Sequence, residues 1–357
     1  MKKPHLTAAL AALIFGAGAA GAAEELNLFA WSEYVPQKVI RGFTKETGIK
    51  VNYEEFASCE EMIAKINAGG TAYDVIQPSD YAAEALAKEN LLLPLDPAKI
   101  PNAKNLLPEY LGLPHDPHGK FTVPYMIGSV GIVVNTQKIK DPVAGYNDLF
   151  SGKYKNRIVV VDDARELLVA ALYTLGKSIN DITPENIELA RPILKKWLSQ
   201  VKIFDSDSPK NALRSGEADI GLVWSGEAAL LWRSEKHFEG KKLKVTKNEN
   251  KKFQYVLASE GHHIFVDTLA IPKTAKNPDA AHKFINYILR PDVSRLVSAE
   301  FPYTNPNAAA RKLLSPDELA NPASYPASSI KPDTFRDLGA GKNALVDKLY
   351  TDLKADN

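Results

Sequence analysis

A lone cysteine, Cys59, among 357 residues excludes an intrachain disulfide scaffold and a multi-cysteine metal centre. Net charge is almost as scarce. Forty-four Lys and Arg stand against 43 Asp and Glu, so there is no general field to attract a nucleic-acid backbone or an anionic membrane. No glycine-rich phosphate cradle is complete, because Gly216 and Gly341 lack the rest of such a motif. Ser225-Gly226-Glu227 lacks the G-x-S-x-G setting of a nucleophile turn. Past the first twenty or so residues there is no second apolar run suited to spanning a bilayer. What the chain does have is core material, 45% hydrophobic residues against 24% charged, enough for two domains of ordinary size.

The first 22 residues read as an export signal. Lys2 and Lys3 precede an apolar stretch over 6–20, and Ala20-Gly21-Ala22 suits small-residue cleavage before Ala23. No cysteine follows that site to carry a lipid anchor. The expectation is a protein without stable membrane insertion in a secretory compartment, specifically the bacterial periplasm.

Beyond the signal, short apolar runs alternate with amphipathic segments. Strands are expected over 26–31, 49–56 and 73–77, with helices over 36–47, 59–68 and 81–89 between and after them. A turn-rich stretch with six prolines follows, then strand patterns over 121–124 and 128–135. The alternation resumes with strands at 158–161, 201–204, 220–224, 255–258 and 263–271, and helices at 164–175, 184–197, 280–289, 293–300 and 343–353. The Lys- and Asn-rich stretch 241–252 reads as a solvated loop or hairpin end, and the Pro-rich stretch 316–332 as a surface connection. This pattern is α/β with largely parallel sheets, restarted once, with a hinge or crossover near 128–136.

Polar and aromatic residues gather just after predicted strands, where open α/β sheets present a crevice to ligands. Asp163, Glu166, Glu227 and Asp267 in one pocket prefer a cation, since desolvated carboxylates require compensating charge or strong hydrogen bonds. Trp31, Tyr34, Tyr81, Trp224, Phe265 and Tyr303 can cover methylenes and offer π faces to protonated amines. Competing readings exist. Asp163 and Glu166 also form the spacing of a helix capping box, with Asp162 available to share the two roles. The same pair resembles two-carboxylate hydrolytic chemistry, but their spacing at a helix start does not create facing acids across a bond. His115, His118, His262 and His263 are left out of any metal site, and no cofactor is expected. Cys59 reads as a buried structural thiol, and Met62 and Met126 as packing.

The ordered segments Phe29-Ala-Trp-Ser-Glu-Tyr34, Gln77-Pro-Ser-Asp-Tyr81, Asp162-Asp-Ala-Arg-Glu166, Trp224-Ser-Gly-Glu227, residues 260–272, and Tyr303-Thr-Asn-Pro-Asn307 closely resemble the bacterial periplasmic spermidine/putrescine-binding proteins. The resemblance spans nearly the whole mature chain. It implies a type II periplasmic binding fold, two mixed-sheet α/β lobes joined by a hinge. The lobes are expected over 23–130 with 265–308, and over 131–264 with 309–357. It further implies a non-enzymatic role, in which a linear polyamine is bound between the lobes and delivered to an inner-membrane ABC-transporter permease. The alternative is a receptor for another cationic amine, amino acid or peptide. By this resemblance Trp31, Tyr34, Ser79, Tyr81, Asp163, Glu166, Trp224, Phe265, Asp267 and Tyr303 match ligand-site positions. Phe265 and Glu227 look like the putrescine-preferring form. The 162–166 segment looks like the spermidine-preferring form, while Thr351 stands where that form has a glutamine. Asp267 is expected to anchor one ammonium, with Glu166, Asp163 and Glu227 orienting the others.

Overall fold

The computed structural model describes residues 24–32, 34–69, 72–233, 235–239, 242–246, 252–327 and 332–355. The export signal expected over 1–22 lies outside them. The chain opens with β1 (Glu25–Trp31), α1 (Gln37–Thr47), β2 (Lys50–Phe56), α2 (Cys59–Ala68), β3 (Val75–Ile76) and α3 (Asp80–Lys88). It continues through β4 (Thr122–Asn135), α4 (Tyr146–Leu149), β5 (Ile158–Val160), α5 (Ala164–Thr174), α6 (Pro184–Leu198), β6 (Val201–Phe204), α7 (Lys210–Ser215), β7 (Ile220–Trp224) and α8 (Ser225–Leu230). After β8 (Glu235–Glu239), β9 (Lys242–Thr246), β10 (Phe253–Val256) and β11 (Ile264–Ala270) come α9 (Pro278–Ile288), α10 (Pro291–Glu300), α11 (Ala308–Arg311), α12 (Pro316–Leu319) and α13 (Gly339–Ala355).

Local chemistry sets these boundaries. In α1 the apolar positions Val39, Ile40 and Phe43 fall on one buried face, and Gly48 ends the helix at φ 75°, a conformation that suits a residue without Cβ. In α2 the Ser58 side chain accepts the Glu61 amide, which satisfies one of the orphan donors of the first turn.

Two α/β lobes with mixed sheets result. In the first, β1 lies parallel to β2 and β3, and β11 joins this group antiparallel. In the second, β5 lies parallel to β6 and β7. The two groups share β4. Its residues Thr122 to Ser129 pair with β11, whereas Val130 to Val134 pair with β7, and β10 lies along the same end. The expectation of largely parallel sheets therefore holds for the flanking strands, while β4, β10 and β11 enter the centre antiparallel.

The strands read separately at 121–124 and 128–135 are one buried strand of 14 residues. Pro124 punctuates the sequence pattern but does not break the strand. The register with β11 shifts between Asp267, opposite Met126, and Thr268, opposite Pro124, so a bulge at Tyr125 absorbs the residue that has no amide to donate. The Lys-rich segment expected as a loop or hairpin end contains β9, paired antiparallel with β8; residues 240–241 and 247–251 lie outside the description. The connection over 316–332 begins with α12, closed by a Ser315–Glu318 capping box. The helix expected at 343–353 starts at Gly339.

Each sheet is covered on both faces. Leu26, Leu28, Phe43, Leu269 and Phe284 fill one side of the first, and Phe29, Met62, Tyr73 and Leu86 the other. In the second lobe Ile132, Val160, Leu168 and Trp197 pack opposite a smaller cluster containing Val133, Leu213 and Tyr255. Met62 and Met126 are buried core residues, as the sequence predicts.

Candidate functional site

The site lies where the lobes meet, at the ends of β1, β5 and β7, and it is built around β11. Side chains at alternate positions of a strand share a face, so Phe265 and Asp267 form one row, and His263, just ahead of the strand, lies 6.3 Å from Phe265 between ring centres. Asp267 is 1% exposed and accepts a hydrogen bond from Ser79 Oγ at 2.5 Å, a contact that joins residues 188 apart. Burial pushes its carboxyl up to about 7; the neighbouring Asp80 adds to the rise, while hydrogen bonding from Ser79 and Tyr34 opposes it. No basic side chain forms an ion pair with Asp267 among the described residues.

Aromatic rings extend from this carboxylate. Phe265 sits edge-on to Trp224 at 5.7 Å and to Tyr303 at 5.9 Å between ring centres. Tyr303 meets Tyr34 at 5.4 Å, and Tyr34 meets Trp31 at 6.2 Å. These separations lie within the favourable range for edge-to-face and tilted aromatic pairs. Two glycines make room for them. A Cβ on Gly128 would lie 1.9 Å from Phe265 Cζ, and one on Gly226 would lie 2.3 Å from Tyr303 Cζ. Trp224 is fixed by its Nε1, which donates to the Ser206 carbonyl at 3.1 Å. Burial pushes the phenols of Tyr34 and Tyr303 above their ordinary range, so both remain neutral at physiological pH.

The acidic group at the start of α5 divides its labour. Asp163 caps the helix, with Oδ1 accepting the amides of Arg165 and Glu166 at 2.9 Å each. Burial, reinforced by the charge of Glu166, pushes the Asp163 carboxyl up to about 6. Glu166 does not return to cap the helix start. Its Oε1 lies 2.8 Å from His263 Nδ1, in a pair whose side chains are only 5% and 3% exposed. Asp162 turns away to Tyr350 and Lys354 on α13. The capping role of Asp163 predicts that Asp163→Ala costs about 1 kcal/mol in denaturant unfolding, whereas Asp163→Asn, an equally good cap, keeps stability within about 0.5 kcal/mol.

Tyr81 on α3 completes the opposite wall. The Arg165 guanidinium lies 5.2 Å from the Tyr81 ring centre and 3.8 Å from that of Phe335. His263 stacks on the other neighbour, Phe335, at 3.6 Å. Glu227 on α8 has an internal cation, Lys210 Nζ at 2.6 Å, with both side chains largely buried.

These contacts join Trp31, Tyr34, Trp224, Phe265 and Tyr303 in one ring cluster and Ser79 to Asp267, Tyr81 meets Arg165 on the helix that Asp163 caps, Glu227 follows the Gly226 that packs on Tyr303, and Glu166 reaches His263 just ahead of β11. Sequence reasoning did not find the partners His263, Lys210, Arg165 and Phe335. The signal for His263 was present, since it stands two and four residues before Phe265 and Asp267. His118 is exposed, whereas burial pushes His115 down to about 4. No group of three or more metal-ligating side chains occurs among the described residues. Ser225 donates no nucleophile; its Oγ accepts the Ser129 amide at 3.1 Å and ties α8 to β4. Cys59 is buried, which pushes its thiol up to about 12.

The family model for bacterial extracellular solute-binding proteins matches residues 38–327. The spermidine/putrescine-binding periplasmic protein of Salmonella typhimurium is 39% identical, over 98% of both chains. The putrescine-binding periplasmic protein PotF of Escherichia coli is 32% identical, over 87% of this chain and 85% of that one. Among solved structures, the spermidine/putrescine ABC transporter substrate-binding protein PotD from Streptococcus pneumoniae superposes with a TM-score of 0.78 at 32% identity, covering 93% of this chain and 99% of that one. The fold, the site at the lobe junction and these likenesses agree, and the chain belongs to the bacterial extracellular solute-binding proteins, in the group of the periplasmic spermidine/putrescine-binding proteins.

Proposed function

We propose that this protein captures a linear polyamine, spermidine and/or putrescine, between its lobes in the periplasm and hands it to an inner-membrane ABC-transporter permease. The observation that carries this reading is Asp267, a buried carboxylate bonded to a hydroxyl rather than a base and adjoining a run of aromatic rings. Such a carboxylate is stabilised when an ammonium arrives, and methylenes between ammoniums suit the ring faces. The relatives, spermidine/putrescine- and putrescine-binding proteins, support the same ligand class.

Eleven residues are assigned to the ligand: Trp31, Tyr34, Ser79, Tyr81, Asp163, Glu166, Trp224, Glu227, Phe265, Asp267 and Tyr303. The bodies that close on it are residues 23–130 with 265–308, and 131–264 with 309–357, hinged at 128–136 and 264–267. The change of partner along β4 after Ser129 supports that hinge. Across the junction Glu84 receives Arg336 Nε at 2.9 Å and Nη2 at 2.6 Å, a bidentate contact suited to holding a closed arrangement. A receptor for an amino acid or peptide needs a cation for the α-carboxylate. Here Lys210 is committed to Glu227, and Arg165 donates to Asn180 and to the Arg336 carbonyl, which argues against that alternative.

Trp31 and Trp224 report on the site directly. A fluorescence titration at pH 8 is expected to saturate with putrescine or spermidine at micromolar concentration, about 8 kcal/mol of binding free energy, and to stay flat with arginine or a tripeptide. No response to any polyamine ends the reading.

The raised carboxyls also set a pH dependence. An ammonium binds the ionised forms of Asp267 and Asp163, whose pKa values are pushed up to about 7 and about 6. Protonation competes with the ligand, so affinity is expected to fall by roughly 10–100-fold between pH 8 and 5.5. Stability of the empty protein moves oppositely. The folded carboxyls hold their protons more tightly than the unfolded ones, so their contribution is full below the unfolded value of about 4, declines as pH rises above it and is gone above about 7. Calorimetry and melting curves across this window check both signs.

A further inference from the structure

The four carboxylates around the cleft fall into two kinds. Glu166 and Glu227 each meet a basic side chain, Glu166 through a hydrogen bond with His263 Nδ1 at 2.8 Å and Glu227 through an ion pair with the Lys210 ammonium at 2.6 Å, so Glu227 is the one of the four held by a lysine. Asp163 and Asp267 have no basic side chain in ion-pair contact among the described residues; backbone amides hold the first and the Ser79 hydroxyl the second.

The Lys210–Glu227 pair is built into the wall. Asp205 Oδ1 accepts the amides of Asp207 and Ser208 at 2.9 and 3.0 Å, shaping the turn that delivers Lys210 to the start of α7. The paired side chains are only 14% and 11% exposed, so water does little to screen them. Beside Glu227, Gly226 packs so closely on Tyr303 that no Cβ fits. The pair thus borders the ring wall at the end of the row formed with Phe265 and Trp224. Two further acids, Asp80 beside Asp267 and Glu60, stand on α3 and α2 and not at the Lys210–Glu227 pair. Asp80 is wholly buried at the start of α3, and Glu60 is exposed and bonded to the Tyr81 hydroxyl at 3.1 Å.

We propose that Lys210 is a specificity-determining residue: its ammonium fills, as part of the chain, the cationic place opposite Glu227, and the cleft takes a linear diamine in preference to a triamine. This rests on the polyamine reading above. A diamine supplies one ammonium to Asp163 and one to Asp267. A third ammonium placed at Glu227 meets a carboxylate already neutralised by Lys210 and a like charge beside it, and desolvating it there goes uncompensated.

The test is calorimetry at pH 8 with putrescine, cadaverine and spermidine on the wild type and Lys210→Met. The wild type is expected to bind a diamine at least tenfold more tightly than spermidine. Lys210→Met is expected to move the spermidine-to-putrescine affinity ratio at least tenfold toward spermidine, about 1.4 kcal/mol. A folded Lys210→Met protein with an unchanged ratio overturns the proposal. If that variant does not fold, the wild-type ratio decides: spermidine bound as tightly as the diamines overturns it. A wild type that ignores all three amines defeats the polyamine reading itself, an outcome distinct from a wild type that binds them without discrimination.

Discussion

Asp267→Asn is expected to lower polyamine affinity by two to three orders of magnitude at pH 8, while the same change at Asp279 leaves it within twofold. Asp267 is 1% exposed, whereas the Asp279 side chain is 70% exposed and only meets Lys99 on the surface. A buried ammonium deprived of its carboxylate forfeits roughly 3–5 kcal/mol, and a surface charge forfeits less than about 1 kcal/mol. The empty Asp267→Asn protein should be no less stable than the wild type near neutral pH, because the amide still bonds Ser79 and burial no longer works against an ionisable group. Calorimetry beside thermal melts separates these effects. Equal affinities for the two variants remove Asp267 from its role as anchor.

Gly128→Ala is expected to have the second large effect. Gly128 lies directly opposite Phe265 in the β4–β11 ladder, and the ring occupies the place a Cβ would take. Phe265 is held between Trp224 and Tyr303, so an added methyl moves all three rings or the shared strand itself. Overpacking of this kind costs about 1–3 kcal/mol of stability, and the displaced wall is expected to weaken polyamine binding at least tenfold. Adding Phe265→Leu to Gly128→Ala should recover most of the stability without recovering the affinity, because leucine clears the methyl but offers no π face. A Gly128→Ala protein with wild-type melting and wild-type affinity contradicts this packing.

Much of the fold was legible because strands and helices of ordinary length alternate with clear punctuation, as in α2, whose limits at Cys59 and Ala68 follow from Ser58 before it and Gly69 after it. The gathering of candidate residues was legible for a related reason. Trp31, Trp224 and Asp163 stand at strand ends, where α/β geometry gathers ligand contacts. What escaped was information that depends on packing. Pro124 reads as a break, but the bulge that accommodates it exists only once β11 is paired alongside. Lys210 precedes Glu227 by 17 residues, and no period along the chain links them. The capping spacing of Asp163 and Glu166 suggested a reciprocal pair, yet only Asp163 caps, because the residue just ahead of β11, His263, comes within reach of the glutamate.

These partners change how the cleft works. A site of four bare carboxylates would repel itself when empty and hold any polycation nonspecifically. Here Glu227 is paired with Lys210, Glu166 is hydrogen-bonded to His263, and the other two have carboxyls whose pKa burial raises toward neutrality. On the proposed reading, the ligand's ammoniums replace protons at Asp267 and Asp163 and the rings contact the apolar chain between them.

A diffraction map of crystals grown with putrescine at pH 8 tests this arrangement most directly. Density for a four-carbon chain along Phe265, Trp224 and Tyr303, with one nitrogen within about 3 Å of Asp267 and the other at the Asp163 end, is the predicted result. A bound diamine whose nitrogens avoid both aspartates, or one lodged outside the lobe junction, contradicts the account.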